Sequence, residues 1–231
     1  MMIQFRKILQ ILVRRFEAFL ISSQNKKVLD YLIKENLFFN NVIDIGGHHG
    51  ELYTAMKRYN IPFISYHIFE PFEESFDQIN LIDDQSLIKY NIGVSNSKGE
   101  SKLKISNWET SNSLSENIDV ESKRNKLKKT LYKEEQYVVT QNIKIDTLDN
   151  LFTNSELENI FLKVDVEGHE LEVIQGAIKL LSSYKIKYLL VEIQDNNTII
   201  KEKLQELGFD LKKIFKFPVL NISDYLFVKV K

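Results

Sequence analysis

The chain has 231 residues, 43% hydrophobic and 27% charged, which is enough apolar material for one soluble domain with a full core. Its 31 basic and 32 acidic residues nearly cancel, so no whole-chain field draws it to nucleic acid. The absence of cysteine excludes a disulfide framework, a thiolate nucleophile and cysteine-bound zinc, and fits a reducing compartment such as the cytoplasm.

No apolar run approaches the roughly 18 residues needed to span a bilayer. Residues 1–22 are interrupted by charge too often for a signal-peptide core. They are strongly amphipathic: Phe5, Ile8, Leu9, Leu12, Phe16, Phe19 and Leu20 share one face, and Arg6, Lys7, Gln10, Arg14 and Glu17 the other. Such a helix docks on its own domain or on a second subunit, or lies on an anionic membrane and makes the protein membrane-peripheral. A second helix is expected over 26–39, with Val28, Leu29, Leu32 and Ile33 inward and Asn40 and Asn41 breaking it. Residues 1–39 therefore read as a helical extension, and 40–231 as the main domain.

That domain opens on VIDIGGHHG, Val42 to Gly50. Val42, Ile43 and Ile45 suit a short buried strand. Leu52, Ala55, Met56 and Tyr59 then follow at the spacing of one helix face. Gly46, Gly47 and Gly50 lie between, so the stretch reads strand, glycine turn, helix. A turn without Cβ atoms lets a ligand approach the backbone, and the helix start directs N–H groups at it. The spacing is D-x-G-x-x-x-G rather than the G-x-G-x-x-G of a dinucleotide site. An acid here, Asp44, suits a ligand with positive charge near the turn, such as S-adenosylmethionine, and suits a pyrophosphate badly.

A second strand, FISYHIFEP, ends in Glu70, with Pro71 barring its continuation. A short helix through Phe72, Phe76 and Ile79 follows, then a third strand over 87–94 and a strand through Leu103 and Ile105. Residues 107–136 turn polar and charge-dense and read as an insert, either a lid or substrate contact or a solvated excursion. Its lysines are balanced by glutamates, against a nucleic-acid patch. Strands follow at 137–145, at Ile160–Val166 and at IKYLLVEIQ, the last with a continuous apolar run at its centre as in a parallel sheet. Helices are expected through Leu171, Ile174, Ile178 and Leu181 and through Ile200, Leu204 and Leu207, with Gly208 closing the second. Two strands end the chain as a hairpin. The alternation predicts a three-layer α/β/α sandwich, Rossmann-like, with a mostly parallel sheet and an antiparallel C-terminal edge.

Ligands of such sheets bind beyond the carboxyl ends of the strands. Asp44 and Glu70 fall there, and Glu70 is where an acid that accepts from both ribose hydroxyls is expected. Asp165 falls there too, with Glu167, His169 and Glu170 behind it. Asp165 lies in an apolar strand, where an unpaired charge is costly, so it needs a partner or a role. Glu70, Glu167 and Glu170 also suit plain helix-start positions. His48 and His49 occupy the turn itself, and the H-x-x-x-H spacing of a helical zinc site is absent.

In order along the chain, VIDIGGHHGELY, HIFEPFEESF, NIGVSNSKGESKLKI, TSNSLS, IKIDTLDNL, FLKVDVEGHELEVIQGA and YLLVEIQ resemble FkbM-type S-adenosylmethionine-dependent methyltransferases. The resemblance covers roughly residues 40–210, and Lys163 to Gly168 is its most distinctive stretch. It implies the class I methyltransferase fold and O-methylation of a hydroxyl on a small molecule or glycan. It implies the cofactor's carboxypropyl end near Asp44, Gly46 and Gly50, the ribose at Glu70, and the adenine near Asn91, Gly93 and Val94. Family members often carry Ala-Asn where this chain has Gly47 and His48, which leaves the role of His48 open. Asp165 and His169 are candidate bases, with Glu167 orienting the site. The same acids are alternatively a holder for a divalent cation. The competing functions are a nicotinamide oxidoreductase and a non-catalytic cofactor-binding scaffold.

Overall fold

The computed structural model describes residues 24–106, 114, 137–194, 198–217 and 222–230. The amphipathic face expected over 1–22 and nearly all of the insert expected over 107–136 lie outside these residues. The described residues form two compact units, one of residues up to 38 together with 51–61, the other of 39–50 and 62–231.

The smaller unit holds helix α1 (24–34) and helix α2 (Glu51–Arg58). In α1 Val28, Leu29 and Leu32 are buried as expected, but Ile33 is 52% exposed. The helix also stops earlier than its apolar pattern suggests. Asn36 takes a left-handed conformation (φ 49), and Leu37 N–H closes back on the Leu32 carbonyl at 2.9 Å. In α2 Leu52, Tyr53 and Met56 are the buried residues.

The larger unit is built on a seven-stranded sheet. Its strands are β1 (Asn41–Ile45), β2 (Ser65–Phe69), β3 (Leu87–Tyr90), β7 (Ile160–Val164), β8 (Ile186–Gln194), β9 (Phe209–Phe217) and β10 (Ile222–Lys229), in the order β3-β2-β1-β7-β8-β10-β9. The five strands from β3 to β8 run parallel; β10 and β9 are antiparallel additions. The chain moves outward one way from β1 and the other way from β7, so the topological switch point lies between those two strands. One face packs Ile43, Ile45, Leu162, Val164, Leu189 and Val191 against Val173, Ile174, Leu180, Leu181 and Leu204 of the helices that follow.

Three further expectations are corrected. The expected single strand over 87–94 is two: β3 ends at Tyr90, and Gly93–Val94 form β4 in a separate sheet of order β4-β6-β5, with β5 at Gly99–Ser106 and β6 at Tyr137–Asp146. Phe72, Leu103 and Ile143 form that sheet's own apolar core, which removes β5 and β6 from the main sheet. The helix expected through Leu171 to Leu181 is also two, α5 (Glu170–Gln175) and α6 (Ile178–Ser182). Gly176 sits at the break because a Cβ there would lie 2.0 Å from the Ser95 carbonyl oxygen. Asp149, in helix α4 (Leu148–Phe152), takes the Gly176 carbonyl with its N–H at 2.9 Å and caps α6 by accepting from Lys179 and Leu180 N–H. Finally, β7 ends at Val164, so Asp165 stands just beyond the strand rather than inside it. Among the described residues no helix is long and apolar enough to cross a membrane.

Candidate active site

Parallel pairing of β1 with β7 sets Asp44 opposite Lys163. The Lys163 ammonium donates to Asp44 Oδ1 at 3.1 Å and to the Gly46 carbonyl at 3.2 Å, and pairs with Asp165 Oδ2 at 3.3 Å. An ammonium has three donors, so these acceptors saturate it. Burial by itself would lower the Lys163 pKa, but Asp44 and Asp165 outweigh it and hold the group above the ordinary lysine value. The second oxygen of Asp44 accepts from the Tyr66 hydroxyl at 2.7 Å, and the Asp44 side chain is 1% exposed. Both Asp44 oxygens are thus engaged inside the protein. Asp165, at 31% side-chain exposure, is the acid of this group that meets solvent.

The glycine turn is fixed from both neighbouring strands. Gly46 and Gly47 N–H both donate to the Phe69 carbonyl at 3.0 Å, while Asp165 N–H donates to the Ile45 carbonyl at 3.0 Å. Gly46 has φ +79, and a Cβ on it would lie 1.8 Å from the Asp165 carbonyl oxygen. Turn and β7 exit are therefore in backbone contact, which only glycine permits. His48 is left-handed (φ 46), and its ring stacks on His49 at 3.7 Å instead of diverging from it.

Glu70, one residue past β2, is a strut as well as an acid. Its Oε2 accepts from His48 N–H and its Oε1 from Phe72 N–H, both at 2.9 Å. Burial raises its pKa to about 7 against the opposing pull of those bonds and of the His48 and Lys163 charges. Each carboxylate oxygen has two lone pairs, so each keeps one for a further donor. Asn91 is exposed and donates its amide to the Glu70 and Pro71 carbonyls at 2.9 and 3.3 Å, steadying the same exit. Gly93 lies apart, buried in β4, where a Cβ would stand 3.0–3.2 Å from Ile143, Leu114 and Ile145.

Beyond β7 the loop reverses through left-handed Glu167 (φ 52) and Gly168 (φ 94). Glu170 holds it by accepting from Val166 and Gly168 N–H at 3.2 and 3.0 Å. Burial first, and the nearby Asp165 charge, raise the Glu170 pKa to about 7. His169 turns inward: Nε2 meets Ser95 Oγ at 3.0 Å, and Nδ1 faces Glu172 at 3.6 Å. Burial lowers its pKa, opposed by the Glu172 charge.

Asp44, Gly46, Gly50, Glu70, Asp165 and Glu167 thus stand at adjoining strand exits, while His169 and Gly93 face the protein interior. Sequence reasoning singled out the stretch from Lys163 but gave that lysine no role, and it missed Tyr66 and Ser95. The available signal was a lysine in the otherwise apolar strand IFLKV, parallel to a strand carrying an acid. The assembled site is rich in acceptors and holds more acids than cations, with Asp44, Glu70, Asp165, Glu167 and Glu170 set against Lys163 and His48. Such a site suits a ligand with hydroxyl donors and a positive centre.

Residues 44–213 match the family model described as the methyltransferase FkbM domain. Among solved structures, methyltransferase FkbM from Methylobacillus flagellatus KT aligns over 84% of this chain and 45% of its own length, with 13% identity and TM-score 0.54. Sp1610 of Streptococcus pneumoniae, described as a candidate tRNA (m1A22) methyltransferase, aligns over 89% of this chain and 71% of its own, with 9% identity and TM-score 0.51. The same protein in complex with S-adenosyl-L-methionine aligns over 89% and 74%, with 10% identity and TM-score 0.50. These likenesses establish the fold, and this chain spans less than half of the FkbM structure it matches. No curated protein matches the sequence.

Proposed function

Because the chain belongs to the FkbM methyltransferase family, we propose that it transfers a methyl group from S-adenosylmethionine to a hydroxyl of a small molecule or glycan. We assign this activity to residues 40–231, with the preceding helices as an extension. One observation carries the reading: the bare-backbone turn after β1 is in backbone contact with Asp165 beyond β7 and bonds its His48 N–H to the Glu70 carboxylate beyond β2. The residues present fit the cofactor. Glu70 would receive ribose hydroxyls, the Gly46–Gly50 turn admits close approach of the ligand, and the excess of acids favours a sulfonium. Bound there, the cofactor supplies an electrophilic methyl group.

The rest of the chemistry belongs to this chain. Alignment of the two reactants supplies most of the acceleration in such a transfer. An alcohol acceptor also gives up a proton. Asp165 is the assigned base, since its carboxylate is partly exposed and oriented by Lys163. We assign Glu167, in the left-handed turn of the loop, to orienting the acceptor. His169 Nε2 is taken up by Ser95 Oγ and the residue is buried, while Nδ1 makes no hydrogen bond and stands 3.6 Å from Glu172, so we assign it to holding the loop. A divalent cation held by Asp165 and Glu167 is disfavoured, because Lys163 already sets a fixed positive charge against the Asp165 carboxylate.

Thermal unfolding with S-adenosylhomocysteine and with NAD tests the cofactor class, since a ligand stabilises the state that binds it. The first should raise the unfolding temperature and the second should not; the reverse pattern favours the oxidoreductase. Labelled methyl from S-adenosylmethionine should enter the small-molecule or glycan fraction of a cell extract. Label in RNA overturns the acceptor class, and no label anywhere favours the scaffold.

A further inference from the structure

Beyond orienting the Asp165 carboxylate, Lys163 has no assigned part in cofactor binding, yet its ammonium makes three contacts at the site. Its ammonium joins the β1 acid, the first peptide of the glycine turn and the acid beyond β7. A buried lysine is expensive to desolvate, and apolar residues of similar volume usually serve stability as well or better. Had charge balance for Asp44 been the sole need, a single contact would have met it. The other two contacts fall on Gly46 and Asp165, the residues whose backbones already touch: a Cβ on Gly46 would lie 1.8 Å from the Asp165 carbonyl oxygen. The lysine thus binds turn and β7 exit together from the side-chain face, as their backbones meet directly.

We infer that Lys163 is the positioning residue of the cofactor turn. It fixes the Gly46 peptide and the Asp165 carboxylate against each other, so that the turn is held in its ligand-ready shape before any ligand arrives. The inference rests on the proposed methyltransferase reading, and it assigns Lys163 no contact with the acceptor and no proton transfer. Preorganisation of this kind shows in affinity, because a turn that must be ordered on binding lowers it.

The test uses the full chain, with S-adenosylhomocysteine as probe, by calorimetry and thermal unfolding in parallel. The informative variant is Asp44→Asn combined with Lys163→Met, which removes both charges of the inner pair and leaves no buried charge uncompensated. It is expected to unfold near the native temperature yet bind the probe at least fivefold more weakly. Affinity within fivefold of native, at native stability, shows that Lys163 only neutralises Asp44 and overturns the inference. Should that variant fail to fold, Lys163→Arg decides the matter. It keeps the charge but cannot reproduce three contacts from one nitrogen, so it is expected to lose at least fivefold in affinity, and a smaller loss overturns the inference. Native protein that takes up no probe sinks the methyltransferase reading, and this inference with it. Native binding with unaffected variants sinks the inference alone.

Discussion

Asp44 and Lys163 face each other across the β1–β7 pairing, and their side chains meet at 3.1 Å, although 119 residues separate them in the chain. The pair neutralises itself in the interior, and the charge that remains at the strand ends belongs to Asp165 and Glu70.

Breaking that pair from one side leaves a charge stranded. Lys163→Met alone should lower unfolding free energy by about 3–5 kcal/mol, the range seen when one partner of a buried ion pair is removed. Urea denaturation of the two proteins measures it. A loss below about 1 kcal/mol would mean that Asp44 finds another partner.

The two left-handed glycines near Asp165 should separate cleanly. Gly168→Ala meets nothing within 4 Å and bears only the left-handed backbone, roughly 1–2 kcal/mol. Gly46→Ala bears the same strain and must also displace the Asp165 carbonyl from 1.8 Å. It should abolish S-adenosylhomocysteine binding, while Gly168→Ala keeps it; equal behaviour in a thermal-shift series would contradict the backbone contact.

Stability and cofactor affinity should move in opposite directions with pH. In the folded chain Glu70 and Glu170 have pKa values raised to about 7 from 4.5. Between those values the folded state binds more protons than the unfolded one, so these two groups make stability fall as pH rises from about 4.5 to about 7. Ribose hydroxyls need the ionised Glu70 as acceptor, so affinity for S-adenosylhomocysteine should rise through pH 7, by at most about tenfold per unit for one proton. Calorimetry across this range checks it, and Glu70→Gln should flatten the affinity profile.

Asp165 and His169 are told apart by turnover. Asp165→Asn should cut methyl incorporation about 10²-fold or more, the scale of a lost general base. His169→Gln should retain more than a tenth of native incorporation, because the residue is buried and its Nε2 is held by Ser95 Oγ. Ser95→Ala strands His169 Nε2 and should cost about 1–3 kcal/mol in stability, read by urea denaturation. A large loss of incorporation in His169→Gln at native stability would return the histidine to the chemistry.

What the sequence determined by itself is local. Strand, glycine turn and helix at VIDIGGHHG, the acid after β2, the apolar run of β8 and the closing hairpin all follow from side-chain period and from glycine and proline chemistry within a few residues. The tertiary structure alone decided what pairs across distance. Register set Asp44 on Lys163; the close Ser95 carbonyl required glycine at 176, where the helix breaks; the separate core of Phe72, Leu103 and Ile143 drew β5 and β6 out of the main sheet. Period reports which face of an element is apolar, not which neighbour it meets. Charges buried at strand ends are therefore assigned only once the register that joins them is known.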